Sequence, residues 1–165
     1  MQVAFGIHVQ TTELTFDRVA EGQSVVGPIW LQLGDRSFPS EGWRDFVAVI
    51  LGWWLRNVVL LADSVVEVEN RFMDGPCAFN CRRSTESRLV AIRCYRNDAQ
   101  AFRRVFHVAR ERYVKELARA ASDVIQEFES RNLQDSRDIV LLKRWLQRAV
   151  RAEERRRKEG WAGWA

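Results

Sequence analysis

The sequence predicts an α+β fold in which an antiparallel sheet packs on a central helix and a C-terminal helical hairpin covers or flanks it. Three patterns carry the expectation: period-two alternation of apolar residues near both ends of the first hundred residues, a nearly all-apolar helical stretch from Phe46 to Leu61, and amphipathic helical stripes running from Phe102 to Ala149. The chain has 165 residues, enough to bury one core without disulfides or a structural metal. Hydrophobic residues make up 47% and charged residues 29%, a balance that excludes a disordered chain. Residues 1–152 are expected to form a single domain, and 153–165 a basic helix end with a Gly-Trp-Ala tail.

Residues 2–10 place Val3, Phe5, Ile7 and Val9 on one side and Gln2, Gly6 and His8 on the other, as a half-buried strand requires. A second alternation involves Leu14 and Phe16. A further strand runs from Val25 to Leu33 and ends at the turn signal Gly34-Asp35, with Pro28 pointing to an edge strand or bulge. Ser40 is the expected N-cap of the central helix, with Glu41 and Asp45 near the positive end of its dipole. Trp43, Val47, Ile50, Trp54, Val58 and Leu61 form its stripe, and Phe46, Leu51, Trp53 and Leu55 widen it, so Trp43, Trp53 and Trp54 are all expected in the core.

Three strands follow at about 64–73, 77–83 and 88–96, linked by Asp74-Gly75-Pro76 and Ser84-Thr85-Glu86-Ser87 in an antiparallel meander. Asn97-Asp98 then offers a cap for a long helix through Phe102, Phe106, Ala109, Tyr113, Leu117, Ala121, Val124 and Phe128. Arg131-Asn132 closes it. Asp135 and Asp138 open a last helix carrying Ile139, Leu142, Leu146 and Ala149, and Glu153 to Glu159 should be a solvated helical extension or a frayed end. Trp161 and Trp164 lie outside any periodic segment and are expected to fold back onto the body.

The first residues lack a basic stretch, an apolar run and a cleavage site, which predicts a cytoplasmic protein. The segment Phe46–Leu61 is too short for a membrane span and contains Arg56 and Asn57. Cys77, Cys81 and Cys94 do not read as a disulfide framework. On a strand, Cys77 and Cys81 would be roughly 13 Å apart, too far for a bridge.

Chemistry is sparse. His8 and His107 are the only imidazoles, His8 on the polar side of a strand and His107 beside a helical stripe, so neither is expected in a nucleophile–base pair. No close Cys/His pair has zinc spacing and no glycine-rich phosphate loop is present, so neither a metal nor a cofactor is expected. Asp45, Asp63, Glu67, Glu69 and Asp74 concentrate between the central helix and the meander, where solvating charges, or an acidic docking face for a basic partner, outweigh catalysis. Basic residues concentrate later. Residues 143–158 hold eight Lys or Arg and two Glu, a local +6, leaving about −2 elsewhere. Arg148, Arg151, Arg155, Arg156, Arg157 and Lys158 could neutralise phosphates, with Trp145, Trp161 and Trp164 available for stacking.

The run Phe38-Pro39-x-x-x-Trp43-x-Asp45-Phe46, then Trp53-Trp54 and Phe72-Met73-Asp74-Gly75-Pro76, resembles a pattern in small bacterial immunity proteins of polymorphic-toxin systems, over about residues 38–76. That resemblance implies a non-enzymatic inhibitor that binds a cognate toxin. The expected contact residues are Glu67, Glu69, Arg71 and Asp74. Association with nucleic acid through the last helix is the alternative, and an enzyme with a noncontiguous site the third reading. The basic C-terminal helix departs from the acidic surface expected of a nuclease inhibitor and leaves the toxin class open.

Overall fold

A computed structural model of the chain describes residues 3–19, 22–84, 88–97 and 99–158. Its strands fall into two antiparallel sheets rather than one. In the first, β3 (Gly22–Leu33) is the spine. β1 (Phe5–Val9) pairs with its residues 29–33 and β2 (Thr15–Val19) with 22–26. The short strands β4 (Arg36–Phe38) and β5 (Arg44–Asp45) pair with it as well. Pro28 therefore lies in a central strand, not at an edge. Its missing N–H is tolerated because the ladder breaks beside it: β1 ends opposite Ile29, β2 resumes opposite Val26, and the Pro28 carbonyl accepts the Gln10 N–H at 3.2 Å. Gly27 next to it allows Leu14 to pack against the backbone, since a Cβ there would come within 2.2 Å of the leucine.

The second sheet contains the expected meander: β6 (Glu67–Arg71), β7 (Cys77–Arg83) and β8 (Leu89–Arg96). Two strands were not expected, β9 (Ala99–Gln100) and β10 (Phe106–Ala109), both paired with β8. The long helix thus begins at Arg110, not near Asp98. Phe102 and Phe106 fit helical spacing, but Phe106 and Val108 also alternate around His107, and pairing Phe106 with Ile92 buries both apolar side chains. His107 accordingly lies on a strand. A Val3 N–H to His107 carbonyl bond of 3.0 Å joins the two sheets.

Helix α1 (Val47–Asp63) is central, with Ile50, Leu51, Trp54, Leu55 and Val58 essentially without solvent contact. Helices α2 (Arg110–Ser130) and α3 (Arg137–Lys158) form the expected hairpin. Its antiparallel sense follows from the ion pairs Lys143–Glu129 near the turn and Arg157–Glu111 at the far end. Asn132, at φ +58°, stands in the turn between them. α3 runs unbroken through Lys158: Glu153 is buried, while Glu154, Arg155, Arg157 and Lys158 are exposed, so the helical extension is solvated from Glu154 onward except at half-buried Arg156. Trp161 and Trp164 lie outside the described residues.

Helices also cover one edge of each sheet. Along β1, Arg112 Nε donates to the Phe5 carbonyl at 3.1 Å, and Arg119 donates to the Ile7 carbonyl. Along β6, Trp54 Nε1 donates to the Arg71 carbonyl at 3.0 Å and Asn57 Nδ2 to the Glu69 carbonyl at 2.8 Å. Edge carbonyls that would otherwise recruit another strand are thereby occupied.

Candidate functional site

The segments that carry the immunity-type resemblance meet in space around one carboxylate. Asp45 is fully buried, and its Oδ2 accepts the N–H groups of Met73 at 2.9 Å and Asp74 at 3.1 Å, while Oδ1 accepts that of Phe46 at 2.7 Å. Phe72 packs edge-on against Phe38, Trp43 and Trp54. Gly75, at φ +96°, lets the turn lie against Trp43, whose ring would sit 3.2 Å from a Cβ at that position. α1 carries no side-chain cap: Phe46 is its N-cap residue and Ser40 lies outside the helix, so the expected Ser40 cap is replaced by the Asp45 bond to the Phe46 N–H. These residues form a framework that joins the start of α1 to the turn after β6.

That framework positions an uncovered surface. The helices lie against one side of the second sheet, where Val68, Phe79, Cys81, Val90, Ile92 and Val108 are buried. On the other side Glu67, Glu69, Arg71, Arg82 and Arg93 are exposed, and Ala78, Asn80, Ala91, Tyr95 and His107 are half-buried. Strand register puts Glu67 beside Arg82, and Glu69 beside Asn80, which in turn neighbours Arg93. Asn80 Nδ2 donates to Glu67 Oε1 at 2.9 Å, and Arg71 pairs with Glu69. Arg82 and Arg93 form no ion pair with any described residue. Arg93 instead donates to the Tyr95 hydroxyl at 3.3 Å, a contact that holds its guanidinium pKa above the usual arginine value. A cleft of about 610 Å³ opens at one corner of this face, between Glu69, Arg71, Asn80, Tyr95 and Asn97.

Of the expected contact residues, Glu67, Glu69 and Arg71 share this face, and Asp74 is exposed in the adjoining turn. The surface is mixed in charge rather than acidic. Arg82 and Arg93 lie beyond that expected set, yet strand parity could have found them, because they occupy the same alternate positions of β7 and β8 as Glu67 and Glu69 do of β6.

Comparison with family models, curated proteins and solved structures finds no match to this chain. The site is therefore read from its chemistry.

The carboxylates between α1 and the meander do not form a paired-acid centre: Asp45 binds backbone, Asp63 pairs with Arg155, and Glu67 and Glu69 face outward from β6. Among the described residues no group of three His, Cys, Asp or Glu is placed to hold a metal ion. The three thiols are buried and unbridged. Burial pushes Cys81 up to about 12 and raises Cys94 as well, so both stay protonated near neutrality. His8 stacks on Trp30 at 5.1 Å, and His107 lies across from Ala91 on the open face.

Part of the basic helix is engaged with the body. Arg155 pairs with Asp63 at 2.9 Å and Arg157 with Glu111 at 2.8 Å. Arg148 lies over the Trp145 ring at 5.1 Å. Arg156 is half-buried, and desolvation, reinforced by Arg110 and Arg83, lowers its pKa to about 10. Arg151 and Lys158 are exposed. No helix of the described residues is long and apolar enough to cross a membrane.

Proposed function

We propose that the chain is a non-enzymatic binding protein, acting as an immunity protein that neutralises a cognate bacterial toxin by direct contact through the open face of its second sheet. The observation that carries this reading is the pair Arg82 and Arg93, two exposed guanidinium groups that form no ion pair with a described residue, on a sheet face that also carries Tyr95 and that no described helix covers. Arginine and tyrosine are enriched where interfaces concentrate their energy. The sheet is rigid, because its reverse side is the core, so little ordering cost opposes docking. The immunity assignment itself rests on the resemblance of residues 38–76, whose side chains build the framework behind this face.

Nucleic-acid association through α3 has less to draw on, since two of its terminal arginines already pair with Asp63 and Glu111. The deciding experiment is co-expression with the toxic C-terminal domain of a large secreted protein encoded in the neighbouring gene. The chain should restore growth and co-purify with the toxin. Arg82→Glu with Arg93→Glu should abolish both while leaving the circular dichroism spectrum unchanged. Undiminished rescue by that variant would reject the face, and strong salt-dependent binding to DNA or RNA by the wild-type chain would favour the alternative.

A further inference from the structure

We propose that a groove between α1 and α3 is a second binding site, which receives one bulky apolar side chain from a partner protein segment carrying a carboxylate and a cation beside it. The proposal depends on neither the immunity reading nor the open sheet face.

Gly52 supplies the first argument. A glycine inside a helix is less stable than alanine by about 0.5–1 kcal/mol, and its missing Cβ leaves space beside the backbone. Gly52 is buried in the middle of α1, yet a Cβ built on it would meet nothing within 4 Å. The missing methyl therefore makes room for none of the described residues. It lies on the wall of a groove of about 320 Å³ that is bounded on the α3 side by Leu141 and Trp145. That volume suits one aromatic or leucine side chain and lies at the low end for small-molecule pockets, which span roughly 300–1,000 Å³.

The rim supplies the second. Trp53, expected in the core, is 42% exposed, and Leu141 is 39% exposed. Arg56 and Asp138 line the same groove, and neither forms an ion pair with a described residue. An apolar centre bordered by tryptophan and arginine has the composition of an interface hot spot. The opposite charges of Arg56 and Asp138 call for a carboxylate and a cation flanking the inserted side chain. Phosphates would be repelled by Asp138.

The test is a titration of the full chain, followed through the indole N–H resonances of Trp53 and Trp145, with the capped tripeptides Glu-Trp-Lys and Lys-Trp-Glu and with Gln-Trp-Gln. One charged peptide should shift both resonances saturably, and Gln-Trp-Gln should bind at least about fivefold more weakly. Gly52→Leu, which fills the groove, and Leu141→Glu, at an exposed helical position, should each weaken the charged peptide by a similar factor. Gly52→Ala should remain folded, as the control that side-chain volume at this position is accommodated. Three results would overturn the proposal: no shift with either charged peptide, unchanged affinity in Leu141→Glu, or indole alone binding as tightly as the peptide. Movement of the same resonances on deletion of residues 159–165 would assign the groove to this chain's own end and overturn it equally.

Discussion

Cys81 shows how much a single side chain owes to its surroundings. Its thiol accepts from Asn70 Nδ2 at 3.4 Å, and Asn70 Oδ1 in turn accepts from Asn57 Nδ2 at 3.1 Å, a polar thread from α1 into the core beside the buried Tyr113 hydroxyl. Burial raises Cys81 from 9.0 to about 12, and burial likewise raises Tyr113. The folded protein therefore holds protons that the unfolded chain releases above about pH 9, so the stability linked to these groups is complete below that pH and is lost as pH rises toward 12. The unfolding free energy from urea titration should be level from pH 7 to 8 and lower at pH 10, falling by about 1.4 kcal/mol per pH unit for each such group beyond its unfolded pKa, with the midpoint falling in step. Cys81→Ala should show a shallower fall. A midpoint that holds constant to pH 10 would contradict the assignment.

Among the elements, α1 depends most on a contact distant in sequence. Its first turn has no side-chain cap, and the adjacent Asp45 carboxylate instead binds three backbone N–H groups, two of them from the turn after β6. Hydrogen bonds to a charged acceptor contribute about 1.5–3 kcal/mol each, and losing the acceptor leaves buried donors unsatisfied. Asp45→Ala should therefore cost on the order of 3 kcal/mol in urea unfolding, and Asp45→Asn less, since the amide retains one acceptor oxygen. A loss under 1 kcal/mol for Asp45→Ala would mean that water replaces the carboxylate. The same segment marks the boundary of what local pattern reveals. The Phe72–Pro76 turn is legible because Gly and Pro report backbone geometry directly. That Asp45 serves this turn, rather than capping a helix with Ser40, depends on residues nearly thirty positions apart.

Across the whole molecule, the buried pair Arg110–Glu153, at 3.0 Å, locks the start of α2 to the last turns of α3. Both partners are almost inaccessible, so removing one leaves an uncompensated charge, with a cost of about 3–5 kcal/mol. Replacing both with apolar residues should recover much of that loss. Arg110→Met alone should lower the unfolding midpoint strongly, and adding Glu153→Leu should restore most of it. If the double variant is no more stable than the single one, Arg110 has another partner of equal weight. This pair also explains why the end of α3 is not the free basic arm that its composition suggests: charge counts report how many cations a helix carries, not which carboxylates of the body they meet.

The α+β class, the meander with its Asp74-Gly75-Pro76 turn, the apolar central helix and the helical hairpin were determined by the sequence itself, because each is a short-range pattern of side-chain period and backbone preference; the second connection, at Ser84-Thr85-Glu86-Ser87, lies mostly outside the described residues. Tertiary structure decided the rest. It divided the strands into two sheets, made Phe106 a strand residue by pairing it with Ile92, turned Trp53 outward and Asp45 inward, and left Arg82 and Arg93 together on an uncovered face. Pairing partner, helix rotation and exposure are set by which surfaces bury the most apolar area together, a property of the assembled core that no local window contains.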